Sequence, residues 1–311
     1  ALVSLNQLAI VTGILLAFIS NYMLVNTGEN NWRWMLLVMG IPAALLFFSL
    51  FFVPESPRWL IAAGKKDIAR KVLTKTLGNE EAGFTLNEIS QSLKSKTKMS
   101  YGDLLTPKIK PILIIAVLLA VFQQITGINT VLYYAPKIFA NVGLSNDSAL
   151  LQTIAIGGTN FIFTVIAMLI IDKYGRKPLI IIGSAGMALS LFGLSTLFFI
   201  DHNSGILVLI FILGFIAFFA ASLGPTIWVL IAELFPNKYR SKGMSVAIVS
   251  LWIACIIVTT IFPIMLEKLN GSLTFLIFGL ICIICLIFVW RWVPETKGKT
   301  LEEMEEELFN N

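Results

Sequence analysis

Uncharged polar side chains lie inside long apolar segments of this sequence. They are of types that could bind a ligand, by hydrogen bonds or by stacking. The amides are Gln7, Gln123, Gln124, Asn129 and Asn160, and the indoles are Trp228 and Trp252. A carboxamide carries both donors and an acceptor, so it complements a hydroxyl group, which is also both. An indole face can stack on the apolar side of a sugar ring. The pattern favours a neutral, hydroxyl-rich ligand, because an ion, a nucleotide or a dicarboxylate would call for charge beside it.

Eight segments without Asp, Glu, Lys or Arg must position these side chains. They span residues 1–28, 34–54, 111–136, 148–171, 178–200, 202–232, 243–266 and 269–290, and the shortest holds 21 residues. About 20 apolar residues in a helix cross the roughly 30 Å hydrocarbon core of a bilayer, and helices satisfy their own backbone there. The chain is 57% hydrophobic and 13% charged, against roughly 25% charged in soluble domains. We predict an all-α polytopic membrane protein with eight transmembrane helices.

The basic residues indicate the orientation. If Ala1 starts on the cytoplasmic side, the cytoplasmic segments 54–110, 172–177, 236–242 and 291–311 contain 20 of the 23 Lys and Arg residues. This asymmetry predicts a cytosolic linker and C-terminus under the positive-inside rule. It also accounts for the net charge of +5 without an acidic partner. We therefore predict a lipid bilayer as the surroundings and no nucleic-acid partner.

Residues that could build a catalytic or metal centre are scarce. Cys255, Cys282 and Cys285 lie within apolar segments, and His202 is the single histidine, so neither a disulfide framework nor a zinc site is predicted. An intramembrane enzyme would need a nucleophile with a base, a metal cluster or paired carboxylates at mid-membrane, and the sequence offers none of these. We predict that the protein is not an enzyme and uses no metal or cofactor.

The third apolar segment contains a residue that can unwind its helix. Gln124 and Asn129 are about 140° apart on a regular helix of 3.6 residues per turn. They converge on one ligand only if the helix unwinds between them, where Gly127 lies. Discontinuous helices of this kind form binding sites in transporters.

The sixth segment has a similar composition. Gly214, Gly224 and Pro225 are expected to loosen the helix just before Trp228. Phe219, five residues before Gly224, is a further candidate contact.

The fourth segment carries a polar stripe. Thr153, Gly157, Asn160 and Thr164 recur at intervals of four, three and four residues, so they share one helix face. We expect Thr153 and Gly157 to form a helix–helix seam, and Asn160, at mid-span, to face the ligand.

The hydrophilic stretch 54–110 is predicted to be a helical linker. Ser56–Pro57 fits the N-cap and first position of a helix whose amphipathic run ends at Leu77. A capping box at Thr85–Glu88 predicts a second helix beginning there, and another at Thr300–Glu303 predicts a third.

Five strings of residues occur in order along the chain: Pro54–Trp59, Gln123–Asn129 with Tyr133 and Tyr134, Asp172–Lys177, Gly224–Trp228 followed by Glu233 and Arg240, and Pro294–Gly298. With these strings the chain resembles the sugar porter family of the major facilitator superfamily. The first and last strings form a weak repeat 240 residues apart, which is typical of transporters built from two related bundles.

The resemblance implies a twelve-helix fold with alternating access to a central sugar site. Residues 1–53 would be the last two helices of the N-terminal bundle, 54–110 the cytosolic linker, 111–293 the six-helix C-terminal bundle and 294–311 a cytosolic tail. Because Ala1 leads directly into apolar sequence without a signal peptide, we expect this chain to be the downstream part of a longer protein. It would then be equivalent to helices five to twelve.

The resemblance also implies roles for individual residues. Sugar-contacting positions match Gln7, Gln123, Gln124, Asn129, Asn160 and Trp228, with Trp252 and Phe219 beside them. A cytoplasmic gate of salt bridges that ties the bundles together matches Glu55, Arg58, Asp172, Arg176, Glu233, Arg240 and Glu295. The alternative for these charges is topology with solvated helix ends. The sequence departs from many relatives at Leu251 and Cys255, where they carry polar residues, and this leaves the choice of sugar open.

The predicted function is secondary transport of a monosaccharide, a hexose or a pentose, across the cytoplasmic membrane. Proton symport and facilitated diffusion both stay open, because the resemblance places the protonatable carboxylate on the first of twelve helices. The alternatives are a polyol or inositol transporter and a transporter-like sugar sensor.

Overall fold

The computed structural model describes residues 2–94, 100–141, 146–200 and 205–298, and all of the secondary structure in these ranges is helical. The helices are α1 (Leu2–Leu24), α2 (Asn31–Val38), α3 (Gly40–Leu50), α4 (Pro57–Ala62), α5 (Lys66–Leu77), α6 (Asn79–Lys94), α7 (Lys110–Ile125), α8 (Ile128–Asn141), α9 (Asn146–Tyr174), α10 (Arg176–Phe199), α11 (Gly205–Ala220), α12 (Leu223–Leu234), α13 (Asn237–Lys268) and α14 (Asn270–Trp292), with one 3₁₀ helix at Tyr101–Leu105. The capping box predicted at Thr300–Glu303 lies outside the described residues.

Eight helical stretches in the described ranges are long and apolar enough to cross a membrane, which confirms the predicted number. Five are single helices, and three consist of two helices joined by a break: α2 with α3, α7 with α8, and α11 with α12. Proline explains two of these breaks, because its ring clashes with the carbonyl four residues earlier. Pro42 follows Val38, the last residue of α2, by four residues, and Pro225 follows Ala221 in the same way.

The chain divides into two compact units. One unit comprises Ala1–Asn26 and Tyr101–Asn311, and the other comprises Thr27–Ser100. In the larger unit α1 packs along α9. In the same unit α1 also contacts α12.

A glycine on α10 lets the helices of the larger unit approach closely. α10 packs along both α14 and α11. A Cβ atom at Gly183 would overlap the side chain of Ser222 and lie 3.1 Å from the carbonyl oxygen of Phe218. Small residues at such contacts allow the van der Waals packing that holds membrane helices together.

The polar stripe on α9 is buried as a whole. Thr153, Asn160 and Thr164 are each at most 4% exposed. A Cβ at Gly157 would lie 2.9 Å from the ring of Phe18 on α1. The expected helix–helix seam at Gly157 is therefore present, with α1 as its partner.

The smaller unit contains α2, α3 and three short helices, α4 to α6. Leu60, Ile61 and Ala69 form the buried core of α4 and α5. The Ser56 hydroxyl accepts the Trp59 N–H at 3.2 Å, so Ser56 is the N-cap of α4 as predicted, with Pro57 in the first turn.

Two details of the linker prediction are wrong. The amphipathic run to Leu77 is divided into α4 and α5 at Gly64, whose positive φ of 78° ends the first helix. Thr85 does not begin a helix, because it lies inside α6, which begins six residues earlier at Asn79. Gly78, with φ of 88°, ends α5, and two glutamates in the first turn of α6 favour its earlier start through the helix dipole.

Substitution of Gly183 by Ala should destabilise the larger unit. We expect Gly183→Ala to lower the free energy of unfolding by about 1–3 kcal/mol, the usual range for overpacking a filled contact. The measurement is the thermal unfolding midpoint of the full-length gene product in detergent micelles.

Gly158→Ala is the matched control, because a Cβ at Gly158 of α9 would meet no atom within 4 Å. Its midpoint should equal or exceed that of the unsubstituted protein. Equal midpoints for the two variants would contradict the close contact between Gly183 and Ser222.

Candidate functional site

The break between α7 and α8 depends on one glycine. Gly127 has φ of 94°, a left-handed conformation that only glycine adopts at little cost. A Cβ at this position would also lie 3.2 Å from the ring of Phe278. The unwinding that the sequence predicted at Gly127 is therefore present.

Two amides converge across this break. The Asn129 Nδ2 atom donates to the Gln124 Oε1 atom at 2.8 Å and to the Cys255 sulfur at 3.2 Å. A regular helix would hold the Gln124 and Asn129 side chains on different faces. The break between α7 and α8 is therefore what brings them together. We call Gln124 and Asn129 the amide pair.

A second break lies between α11 and α12 at Ala221 and Ser222. The Ser222 hydroxyl donates to the Phe218 carbonyl at 2.5 Å, which satisfies one backbone group near the end of α11. Gly214 does not loosen the helix as expected, because it lies inside α11. Its role is a close contact instead, since a Cβ there would lie 3.0 Å from the Ser190 hydroxyl.

Gln123 connects the two breaks. Its Nε2 atom donates to the carbonyls of Leu223 and Gly224, at 3.2 and 3.3 Å. Its Oε1 atom is buried and has no partner among the described residues. Gln7 and Phe219 reach the same place, because a Cβ at Gly224 would lie 3.7 Å from the Gln7 Nε2 atom and 3.3 Å from the Phe219 ring.

The remaining candidate ligands differ in burial. Asn160 on α9 is 4% exposed, and Trp228 on α12 is half-buried. Trp252 on α13 is 53% exposed, although it lies one helical turn before Cys255, which is 5% exposed. No hydrogen bond joins Trp252 to the amide pair in the described residues.

Among the described residues, the side chains named at the two breaks are all uncharged. Four are the amides Gln7, Gln123, Gln124 and Asn129, and the Cys255 sulfur contacts Asn129. A group of this kind can bind hydroxyls by hydrogen bonds, and it has no charge to hold an ion or a phosphate.

A second group of polar residues joins helix ends in the larger unit. The Arg176 guanidinium binds Glu233 with two hydrogen bonds, from Nη2 at 2.9 Å and from Nε at 3.2 Å. Asp172, whose side chain is 79% exposed, lies 3.1 Å from Nη2. Bidentate pairs of this type are the stronger ones, whereas the solvated Asp172 contributes about 0–1 kcal/mol at most.

Glu295 binds the beginning of α10 from the segment after α14. Its two carboxylate oxygens accept the backbone N–H groups of Arg176 and Lys177 at 3.0 and 2.9 Å. A carboxylate at a helix N-terminus satisfies unpaired N–H groups and complements the helix dipole. Gly175 is required at this position, because it has φ of 92° and a Cβ there would lie 2.7 Å from the Glu295 carboxylate.

Two neighbours of Glu295 complete this group. The Thr296 hydroxyl donates to the Glu233 carboxylate at 2.6 Å, and the Lys297 ammonium donates to the Lys173 carbonyl at 2.6 Å. We call Asp172, Arg176, Glu233, Glu295, Thr296 and Lys297 the charged cluster.

Within the larger unit, four of the five expected charged residues belong to the charged cluster. Glu55 and Arg58 lie in the smaller unit and are exposed. The Nε atom of Arg240 is buried and has no hydrogen-bond partner among the described residues. The ion pairs that the structure describes join helices of the larger unit.

Sequence reasoning missed three residues of these groups. Cys255 was noted as a departure from polar residues in similar sequences, and the contact of its sulfur with Asn129 could not be foreseen from that departure. Thr296 and Lys297 belonged to a recognised string, but their polar side chains alone did not reveal which carboxylate or carbonyl they would bind.

Comparisons with known proteins agree with this architecture. The family model "Sugar (and other) transporter" matches residues 1–308. The D-xylose-proton symporter of Escherichia coli K12 is 43% identical over 98% of this chain and 64% of its own length. The arabinose-proton symporter of Bacillus subtilis is 40% identical over 98% of this chain and 67% of its own length.

A solved structure is also similar. The proton:xylose symporter XylE bound to 6-bromo-6-deoxy-D-glucose superposes with a TM-score of 0.81 at 42% identity, over 99% of this chain and 66% of that one. The chain thus spans about two thirds of the length of the relatives it matches. From the family model, the relatives and the fold together, this multi-pass membrane chain belongs to the sugar porter family of the major facilitator superfamily.

Proposed function

We propose that this chain belongs to a secondary transporter that moves a monosaccharide, a hexose or a pentose, across a membrane. The observation that carries the proposal is the amide pair at the helix break between α7 and α8. Polar side chains in hydrocarbon are costly and are kept where they serve a pathway or a contact. Here they are also held in one defined arrangement.

The chemistry of the site supports an uncharged, hydroxylated substrate. The amide pair, Gln123 and Asn160 are all largely buried in helices that are long and apolar enough to span a membrane. Amide groups can donate to hydroxyl groups and accept from them, and the buried Gln123 Oε1 atom has no partner among the described residues. The half-buried Trp228 offers a ring face for the apolar side of a sugar.

Alternating access is the mechanism that the family relationship supports. We infer a twelve-helix transporter in which this chain supplies the equivalent of helices five to twelve. In this arrangement 1–53 would complete the N-terminal bundle, 54–110 would form the linker, 111–293 the C-terminal bundle and 294–311 the tail. The strong excess of Lys and Arg in the linker and tail favours their location in the cytosol and the protein's location in the cytoplasmic membrane.

Coupling to protons is supported by the relatives, two of which are named as proton symporters. A relative named as the major myo-inositol transporter IolT of Bacillus subtilis, 36% identical, supports a polyol as the second candidate substrate. Sugars and inositol should therefore be compared in the same assay, at two external pH values.

We infer that the charged cluster acts as part of a cytoplasmic gate. It joins the ends of α9, α10 and α12 with the segment after α14. Any movement that separates the end of α12 from α10 must therefore break the bidentate pair of Arg176 and Glu233. Losing several such interactions together would shift a two-state equilibrium by a few kcal/mol, which is enough to change the populations of the two states. Glu55, Arg58 and Arg240 remain candidates for the same gate, as partners in another conformation.

Removal of the Gln124 amide should weaken sugar binding. We expect Gln124→Ala to lower the affinity of the best monosaccharide about two- to tenfold, the value of one neutral hydrogen bond. Trp228→Ala should lower it further, because the ring's contact area is lost. The measurement is counterflow and equilibrium binding of a radiolabelled panel of hexoses, pentoses and myo-inositol by the full-length gene product in proteoliposomes.

Gln91→Ala is the control, since Gln91 lies exposed on α6 of the smaller unit and undergoes the same change. It should leave the affinity unchanged. If no sugar or polyol in the panel binds, or if Gln124→Ala and Trp228→Ala both bind with unchanged affinity, the proposed site is wrong.

Neutralising Glu233 should favour the state in which the cytoplasmic side is open. Glu233→Gln replaces a charge-assisted bidentate pair by a weaker neutral contact, with an expected loss of about 1–3 kcal/mol. The measurement is the fraction of inward-open molecules, from electron–electron distances between spin labels on the two bundles, together with the transport rate.

Glu267→Gln is the matched control, because Glu267 is exposed at the C-terminal end of α13, away from the charged cluster near the start of that helix. A lower thermal midpoint for Glu233→Gln with an unchanged inward-open fraction would assign the pair to stability alone and would refute the gate.

A further inference from the structure

The 3₁₀ helix Tyr101–Leu105 lies shortly before α7 and belongs to the larger unit. It contacts both α7 and α13, and its Leu104 side chain is 1% exposed. The turn that follows it is closed by hydrogen bonds. The Thr106 hydroxyl donates to the Asp103 carbonyl at 2.9 Å, and the Thr106 carbonyl accepts the Ile109 N–H at 3.0 Å. The 3₁₀ helix therefore has a fixed orientation beside the start of α7.

Two large side chains of this 3₁₀ helix are left on the outside. Tyr101 is 56% exposed and Leu105 is 64% exposed. The Lys242 ammonium lies 4.5 Å from the centroid of the Tyr101 ring, which is a cation–π distance. The two neighbouring membrane-spanning stretches begin at Lys110 and Lys238. Tyr101 and Leu105 therefore lie at the level where hydrocarbon meets the lipid headgroups, a depth that suits aromatic and apolar side chains.

Basic residues surround these two side chains. Residues 101–110 and 237–243 together contain five basic residues and one acidic residue. The basic residues are Lys108, Lys110, Lys238, Arg240 and Lys242, and the acidic residue is Asp103. The charged cluster differs, because its guanidinium is paired with two carboxylates. An excess of Lys and Arg at a membrane surface attracts anionic lipid headgroups.

We propose that the 3₁₀ helix and the lysines beside it bind anionic phospholipids. The residues of this surface, which we call the interfacial patch, are Tyr101, Leu105, Lys108, Lys110 and Lys242. The lysine ammonium groups bind the lipid phosphate, and the two large side chains lie against the glycerol and the first acyl carbons.

The exposed apolar pair is what favours a lipid over a soluble anion. A free phosphate could be bound by the lysines alone, and it would leave the Leu105 side chain and the Tyr101 ring in water. Membrane orientation requires basic residues on one side of the bilayer, but it does not require an apolar pair fixed among them. Because the patch binds lipid whether or not the protein carries a sugar, its test is independent of the proposed function.

A fluorescent label at position 105 provides the direct test. Leu105→Cys is labelled with bimane in the full-length gene product, after reactive cysteines elsewhere have been replaced by serine. Cys255, Cys282 and Cys285 of this chain are buried. The labelled protein is placed in phosphatidylcholine nanodiscs that contain spin-labelled phosphatidylglycerol or spin-labelled phosphatidylcholine at equal mole fractions, with the nitroxide near the headgroup.

Both lipids should quench the label, and phosphatidylglycerol should be preferred at least about fivefold, the effect of one lysine near the surface. Lys108→Gln together with Lys110→Gln should lower this preference at least about fivefold. Lys66→Gln together with Lys71→Gln is the matched control, because both of these lysines are exposed on α5 and the net charge changes equally. The control pair should leave the preference unchanged.

A second label controls for position. Ile162 is 55% exposed on α9, near the middle of the spanning stretch Leu150–Tyr174. A bimane on Ile162→Cys should be quenched most by nitroxides deep in the acyl chain, with no preference between the two headgroups.

Three results would overturn the interfacial patch. Quenching of the label at position 105 by iodide and by neither lipid would show that this surface faces water. Protection from iodide and from both lipids would show that protein covers it. Equal quenching by the two lipids, or an equal loss of preference in the two pairs of lysine variants, would show that the patch does not select anionic headgroups.

Discussion

A helix that breaks inside a membrane leaves backbone N–H and C=O groups without partners, and hydrocarbon offers them no water. The larger unit of this protein contains two such breaks. Gln123 donates to two carbonyls at the start of α12, and Ser222 donates to a carbonyl near the end of α11. Ser222 thus satisfies a carbonyl at the end of α11, and Gln123 adds hydrogen bonds that tie α7 to the first turn of α12.

Consecutive glutamines make this arrangement compact. Gln123 reaches the break between α11 and α12, and Gln124 reaches Asn129 across the break between α7 and α8. Both breaks are therefore tied to α7. In the proposed transporter, a ligand that bound both amides would contact both breaks, and this would link ligand binding to helix movement.

The sequence predicted the parts of this structure that follow from strong local rules. Charge-free segments of at least 21 residues specify spanning helices, and Gly127 between two polar residues specified a break. The second break was expected at Gly224 and Pro225 and lies at Ala221 and Ser222. The difference has a simple cause, because proline disrupts the turn that precedes it.

Long-range pairing could not be predicted in the same way. Glu295 was recognised as one residue of a string, but its binding to the first N–H groups of α10 depends on how two helix ends meet in space. Arg240 belonged to the same expected set, and in the described residues its Nε atom is without a partner. A local pattern can also mislead. The capping box at Thr85 predicted the start of a helix, but Thr85 lies in the interior of α6.

The most direct measurement is the structure of the full-length gene product, determined by electron cryomicroscopy with the monosaccharide that it binds best. The account predicts sugar density between the two helix breaks, with hydroxyls within hydrogen-bond distance of Gln124 Nε2 and Asn129 Oδ1. Well-resolved sugar density elsewhere, with the amide pair unchanged and in contact only with protein, would contradict it.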